Sequence, residues 1–536
     1  MGDSQIREVD AVVVGAGFAG LYMLHRLRGA GWSAQGFEAG SGVGGTWYWN
    51  RYPGARCDVE SLEYSYQFDE DLQQEWEWTE RYAGQAEILR YLEHVADRFD
   101  LRRDIQFDTR VLAAAFDEAT SRWTIRTSRE DEGAISARFL IMASGCLSSA
   151  NLPDIPGLDC FTGDVFHTGR WPHEGVDFSG KRVGVIGTGS SGIQAIPIIA
   201  KEAEQLVVFQ RTANYSVPAR NAPLHPDEQR AVKEDYAGLR ARNRMMPTGF
   251  GSRMPPPGAS ALEAEPDERH REFQSRWERG GFGFLASYAD LTLDRAANAT
   301  AAEFVRNKIR EIVHDPVVAD MLSPTQVIGC KRLCLDSGYF EAFNRENVRL
   351  VDIGGTPIDA ITPTGLRAGG EYFDLDCLVF ATGFDAMTGA LLAIDICGRN
   401  GSTLRDAWSA GPRTYLGLGV PDFPNVFIIT GPGSPSVLTN MVVSIEQHVD
   451  WISDCIASMR DHGHDRIEAT HQSADDWVAY VNSIAHLTLF PYCNSWYLGA
   501  NVPGKPRVFM PLPGFPPYDE QCKHVAANGY EGFVLS

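Results

Sequence analysis

Asp10-Ala-Val-Val-Val-Gly15-Ala-Gly17-Phe-Ala19-Gly20 is a short apolar run that enters a glycine turn, with Leu21, Leu24 and Leu27 following at helical spacing. It reads as strand, tight turn and helix. Gly15 permits the turn, Gly17 lets the backbone approach a pyrophosphate, and Gly20 lets helix and strand pack closely, leaving N–H groups free at the helix start. Glu38 stands 18 residues beyond Gly20, after Ser33-Ala-Gln-Gly-Phe37, where a second strand ends and a carboxylate can bind ribose hydroxyls. The same build recurs downstream as Val183-Gly-Val-Ile186 before Gly187-x-Gly189-x-x-Gly192. There the second strand, Leu206 to Phe209, ends in Gln210-Arg211-Thr212 with no acid, and an arginine beside a hydroxyl suits a 2′-phosphate. The pair predicts two dinucleotide sites, the second for NADP rather than NAD.

At 536 residues the chain exceeds what one hydrophobic core usually supports, so two or three domains are expected. A formal charge of −22 opposes binding to nucleic acid or to an anionic membrane, and no obligatory protein partner is expected. Met1 to Asp10 is polar, with no apolar leader, and Ile6 stands where myristoylation requires Ser or Thr. No apolar run reaches membrane-spanning length. The ten cysteines show no regular framework and are expected to be reduced thiols of a cytoplasmic enzyme; Cys330-x-x-x-Cys334 matches neither a redox pair nor a metal site, and no metal is expected.

Apolar runs at Phe139–Met142, Val183–Ile186, Leu206–Phe209, Leu378–Phe380 and Val426–Ile429 read as strands buried on both faces, the mark of an α/β fold with helix-covered parallel sheets. Between about Pro218 and Ile328 such runs vanish and charged helix-favouring stretches take over, which predicts a helical insertion. Its Gly249-Phe-Gly-Ser-Arg-Met-Pro-Pro-Pro-Gly258 suits an irregular loop. Directly after Glu38, Gly42-Val-Gly-Gly45-Thr46-Trp47-Tyr48-Trp49 combines glycines with flat aromatic side chains, as needed to bury an isoalloxazine ring beside the first site.

Between the two fingerprints lies Phe161-x-Gly163-x-x-x-His167-x-x-x-Trp171-Pro172. This spacing resembles the signature of type I Baeyer–Villiger monooxygenases, notably the phenylacetone and steroid monooxygenase branch. Gly44–Asp58, Ala381-Thr-Gly-Phe-Asp385, Gly431–Ser436, Ile445–His448, Asn494–Lys505 and the tail Gly529–Leu535 extend the likeness over nearly the whole chain. It implies two Rossmann-like domains, for FAD (1–146 and 386–536) and NADP (147–217 and 330–385), with a helical insertion at 218–329. It also implies an NADPH- and O2-dependent oxidation of a ketone (aromatic, cyclic or steroidal) to an ester or lactone through a C4a-peroxyflavin, with sulfoxidation as a side activity.

By the same resemblance Arg332 is the active-site cation and Asp58 the carboxylate that positions it; the chemistry itself asks for a fixed positive charge near an oxyanion. Cofactor contacts are implied for Gly15, Gly17, Ala19, Gly20, Glu38, Gly45, Thr46, Trp47, Tyr48, Trp49, Arg56, Asp58, Tyr64, Val111 and Met441 on the FAD side. On the NADP side they are implied for Thr188, Gly189, Ser190, Ser191, Gly192, Ile193 and Gln194 at the pyrophosphate, Arg211, Thr212 and Lys331 at the 2′-phosphate, and Trp496. His167 is expected to couple structure to domain motion rather than to move a proton. Cys146 and the proline-rich Leu512-Pro-Gly-Phe-Pro-Pro517 depart from the pattern. Two alternatives remain. An N- or S-oxygenating flavin monooxygenase would not close its signature with Trp171-Pro172, and a disulfide reductase would need a redox-active cysteine pair beside the flavin.

Overall fold

The computed structural model describes residues 7–536; positions 1–6 of the polar opening stretch lie outside the described residues. The first glycine turn is built as its residues dictate. Arg7–Val14 forms a strand whose Ala11, Val12 and Val13 are wholly buried, and the helix Phe18–Gly29 follows the turn. Around this unit the first sheet runs Asp395–Cys397, Val111–Asp117, Arg122–Thr127, Ile135–Met142, Arg7–Val14, Ala34–Phe37, Ile105–Gln106, with Val426–Ile428 pairing Ile135–Met142. Its centre is parallel, while Arg122–Thr127 joins its two neighbours antiparallel.

The second sheet runs Val348–Asp352, Gln205–Gln210, Arg182–Ile186, Cys377–Phe380, Asp164–His167, and every pair in it is parallel. Parallel pairing needs helical crossovers, and the helix Ser190–Glu202 supplies the first, burying Ile193, Ile196 and Ile199 on the sheet. The α/β expectation with two Rossmann-like units therefore holds, and the apolar runs anticipated as strands lie in the two sheets.

Between the paired short strands Ser216–Pro218 and Cys334–Asp336 the chain is helical, with Pro226–Glu234, Tyr236–Arg244, Pro266–Arg279, Arg295–Ile312 and Pro316–Leu322. The charge-rich helix Pro266–Arg279 is not wholly a solvated face. Its Arg276 is 3% exposed and donates to the carbonyls of Pro255 and Pro256, so one buried guanidinium shapes the Gly249–Gly258 loop. Leu512–Pro517, where the sequence departs from its resemblance, leads into the helix Phe515–Ala527, with proline tolerated in a first turn that needs no N–H partner. No helix among the described residues is long and apolar enough to cross a membrane.

One expectation fails. Cys330 and Cys493, 163 residues apart in sequence, are joined in a disulfide, while the other eight cysteines are free as expected. Spacing along the chain could not show this pair, because only the fold brings the two segments together.

The closeness of turn and helix makes a sharp demand on Gly20. A Cβ there would lie 1.8 Å from the Gly15 carbonyl oxygen, whereas a Cβ at Gly29, in the same helix, would meet nothing within 4 Å. Gly20→Ala should therefore lower stability by about 1–3 kcal/mol or more and weaken flavin retention, while Gly29→Ala should be neutral or slightly stabilising. Thermal melts together with the flavin absorbance of the purified protein check both.

Candidate active site

Neither fingerprint helix has a side chain capping its start, at Gly17 or at Gly189, so each presents backbone donors and a positive dipole end where an anion is favoured. Gly15 takes a φ of +108°, with Gly187 its counterpart at +110°. A Cβ on Gly192 would lie 2.3 Å from the Gly187 carbonyl oxygen, repeating the packing of Gly20 on Gly15. Ala19 and Ile193 are buried on their sheets. Both cradles have the form a pyrophosphate fits.

Glu38 follows the strand Ala34–Phe37 and is 5% exposed. Its carboxylate accepts from Ala16 N (2.9 Å) and Gly40 N (2.8 Å), and burial raises its pKa against these two bonds and the Trp49 side chain. Gly45 lies against Gly17, so the aromatic turn Thr46–Trp49 sits over the first cradle. Trp47 Nε1 donates to the Tyr64 hydroxyl (3.2 Å), and Tyr48 and Trp49 meet edge to face. Val111 begins a strand of the first sheet and Met441 begins the long helix Met441–His462. This is a flat apolar and aromatic setting, suited to a planar ring system.

The residues after the aromatic turn carry the first site to the second. Tyr52 donates to Gln194 Oε1 (2.8 Å), Gln194 Nε2 donates to the Arg56 carbonyl (3.2 Å), and Trp171 N approaches the Trp49 carbonyl. Gln194 therefore works partly as a fastener between domains. Ser190 and Ser191 open the second helix, and Thr188 donates to the Thr212 carbonyl (3.2 Å). Arg56 itself is engaged elsewhere, donating to Glu80 (2.8 Å) and to the Tyr82 carbonyl (2.8 Å).

Arg211 and Thr212 are exposed just beyond the strand Gln205–Gln210. Lys331 is brought to the same place: its pKa is lowered by burial and then by the charge of Arg211. Among the described residues neither cation has a carboxylate partner, and two like charges held together without one favour a bound dianion. The donor set fits a 2′-phosphate.

Beside Lys331, Arg332 makes the central contact. Its Nε donates to Asp58 Oδ2 (2.5 Å), Nη2 to Asp58 Oδ1 (2.8 Å) and Nη1 to the Val437 carbonyl (2.7 Å), and its guanidinium lies 4.8 Å from the Phe282 ring centre. Burial pulls the Arg332 pKa down, but the charge and hydrogen bonds of Asp58 outweigh it and the net direction is up. The cation is permanent. Three of the five guanidinium N–H groups are used, so two remain for a negatively charged oxygen. Trp496 packs on the buried Tyr497 (4.3 Å between rings), which lies near Arg332 and which burial keeps neutral.

Val437, Phe282 and Tyr497 were not singled out from sequence. Two of them act through a carbonyl or a ring face that no motif encodes, and only the motif Gly431–Ser436 lay near Val437. His167, at the end of the strand Asp164–His167, accepts from Gly169 N (2.9 Å) and meets Thr382 Oγ1 (3.4 Å), so it ties the two interdomain crossings together; burial lowers its pKa. A cleft of about 790 Å³ on the outer side of the insertion, between Arg269 and Lys308, includes none of these residues.

With this geometry in view, the likenesses to known proteins are specific. Residues 9–222 match the FMO-like family, described as flavin-binding monooxygenase-like. The chain is 43% identical over 534 residues to a Baeyer-Villiger monooxygenase of Pseudooceanicola batsensis, covering 98% of this chain and 96% of that protein. The chain belongs to the Baeyer–Villiger monooxygenases. Among solved structures, an oxidised steroid monooxygenase bound to NADP is 55% identical with a TM-score of 0.93, covering 98% of this chain and 99% of the other. A complex of OTEMO with FAD and NADP is 40% identical with a TM-score of 0.94, covering 98% and 99%. This monooxygenase is accordingly an oxidoreductase that uses FAD and NADP(H), and its relatives support the Baeyer–Villiger reading over an N- or S-oxygenating enzyme or a disulfide reductase.

A buried acid braces the site from below. Glu63, 1% exposed, accepts from Asn243 Nδ2 (3.1 Å) and Gly251 N (3.2 Å), while its backbone carbonyl accepts from Asn440 Nδ2 (2.7 Å), linking the insertion loop to the loop that holds Val437. Burial, then the nearby Glu60, push its carboxyl from 4.5 up to about 7. A raised acid pKa favours folding in the protonated form, so this contribution is full below about pH 4.5 and is lost as pH rises through about 7. Glu63→Gln should flatten the stability-versus-pH profile over that window by on the order of 3 kcal/mol, seen as a smaller difference between urea midpoints at acid and neutral pH.

Proposed function

We propose that this monooxygenase inserts one atom of O2 beside the carbonyl carbon of an apolar ketone, giving an ester or lactone, and that Arg332 serves the oxygen on which charge develops. The observation that carries the reading is the bidentate Asp58–Arg332 pair with two N–H groups still free. FAD and NADPH, when bound, supply the reducible centre that activates O2 and the hydride that reduces it. The chain supplies the rest. Gly15–Gly20 and Thr188–Gln194 hold the two pyrophosphates, and Glu38 holds the first ribose. Arg211, Thr212 and Lys331 select the 2′-phosphate.

Asp58 keeps the guanidinium in one orientation, and the free N–H groups then stabilise the negative oxygen formed when the carbonyl is attacked, with no change of protonation in the protein. Phe282 and Phe250, whose rings lie 5.8 Å apart, together with Val437 wall this point with apolar surface and exclude water. That lining supports a bulky aromatic, cyclic or steroidal ketone over a small polar one. The need for NADPH fits a cytoplasmic setting.

Arg332→Ala should leave FAD bound and reducible by NADPH but abolish ester formation; stopped-flow bleaching of the flavin alongside product analysis separates the two steps, and a normal ester yield would remove the role. Arg211→Ala should raise the Michaelis constant for NADPH far more than for NADH, by a difference worth about 1–3 kcal/mol for a lost charged contact. Equal effects on both coenzymes would count against the 2′-phosphate assignment.

A further inference from the structure

Cys330 directly precedes Lys331 and Arg332, and Cys493 stands three residues before Trp496. Their disulfide, with Cα atoms 6.2 Å apart, is the covalent tie between the arginine segment and the C-terminal stretch Leu487–Met510. Its Tyr497, Phe509 and Met510 pack into the buried core, and its remaining ties to other segments are polar. Leu489 N donates to the Thr292 carbonyl in the insertion (2.8 Å), Asn501 Nδ2 to the Phe384 carbonyl (2.6 Å), Asn151 Nδ2 to the Asn501 carbonyl (3.2 Å), and Lys505 pairs with Asp385. The stretch is mostly irregular, with only short turns of 3-10 helix at Phe490–Tyr492 and Trp496–Leu498. Without a regular hydrogen-bond ladder of its own, such a segment gains or loses freedom with a single cross-link.

We propose that the Cys330–Cys493 pair is a redox-modifiable clamp: oxidised, it holds the Trp496 segment against Arg332; reduced, it lets that segment move away. The two sulfurs differ in access. Cys330 is 1% exposed, whereas Cys493 is half-buried between the exposed Tyr492 and Asn494. An incoming thiolate therefore attacks the Cys493 sulfur, and the Cys330 sulfur leaves with the electron pair of the broken S–S bond.

A second thiolate of the same dithiol then displaces Cys493, and two protons complete the free thiols as the dithiol is oxidised to its disulfide. In the other direction a hydroperoxide oxidises the pair. One thiolate takes the distal oxygen as a sulfenic acid, the second displaces that oxygen as water, and the S–S bond forms. Hydrogen peroxide, which a reduced flavin yields with O2 when no ketone intercepts it, is an oxidant of this class. The clamp would thereby tighten the site that had leaked it.

Faster coenzyme release in the reduced form rests on the expected contact of Trp496 with NADP. Reading thiol state and segment motion separately from coenzyme keeps the two apart. The holoenzyme is treated with dithiothreitol or with hydrogen peroxide, alkylated differentially and digested, with the exposed Cys160 as an internal control for labelling. Amide exchange is followed over 487–510 in both states, and NADP+ dissociation is timed. A linked 330/493 peptide after peroxide, two free thiols after dithiothreitol, and exchange on the order of tenfold faster in the reduced form are expected. Cys493→Ser should exchange at the fast rate in both buffers.

Thiols at 330 and 493 that stay unlinked after peroxide, or a segment that exchanges equally in both states, would overturn the clamp. If the segment loosens while NADP+ release is unchanged, the clamp stands and the placement of Trp496 at the coenzyme fails. Should Cys493→Ser not fold, the two redox states of the unaltered enzyme still decide the matter.

Discussion

Asp58 and Arg332 are 274 residues apart in sequence, and their two-point contact is the constraint on which the rest of the site depends. Asp58 comes from the loop that leaves the first dinucleotide cradle, and Arg332 from the segment that returns out of the helical insertion. At 22% and 24% exposure the pair lies between the surface and buried limits, so its stabilising contribution is on the order of 1–2 kcal/mol. Its value to function is geometric. Nε and Nη2 are spent on one carboxylate and Nη1 on the Val437 carbonyl, so the plane of the guanidinium is set by two other chain segments.

The neighbouring contacts transmit the same constraint outward. Tyr52 and Gln194 join the loop carrying Asp58 to the helix of the second cradle. Glu63 and Asn440 join that loop's continuation to the loop carrying Val437. His167 and Thr382 meet where the chain passes between the two sheets, and Asn151 N donates to the Gly383 carbonyl beside them (2.9 Å). A shift of one domain against the other therefore acts on Arg332 through at least two routes, one through Asp58 and one through the loop at Val437. This is a physical basis for coupling coenzyme position to the state of the cation.

Local chemistry explains which parts were readable beforehand. Gly15 and Gly20 are demanded by a backbone approach within one strand–turn–helix unit, so their spacing alone announces the turn. Arg211 in place of an acid is a charge choice at one defined strand end. The aromatic run Trp47–Trp49 follows the first cradle closely enough that its place beside it is set by a short chain. The side chain of Arg56 reads the same way but is taken by Glu80, a partner that sequence distance hides.

The parallel cores of the two sheets, the two anion cradles and the preference for a phosphorylated coenzyme were legible along the chain, because each depends on periodicity or on residues within a single local unit. Which two N–H groups of Arg332 stay free, that Val437 and Phe282 border it, and that Cys330 meets Cys493 follow from the packing of the whole chain. Those facts arise from contacts between segments separated by fifty residues or more, whose meeting is set by how the domains pack, and no pattern along the chain records it.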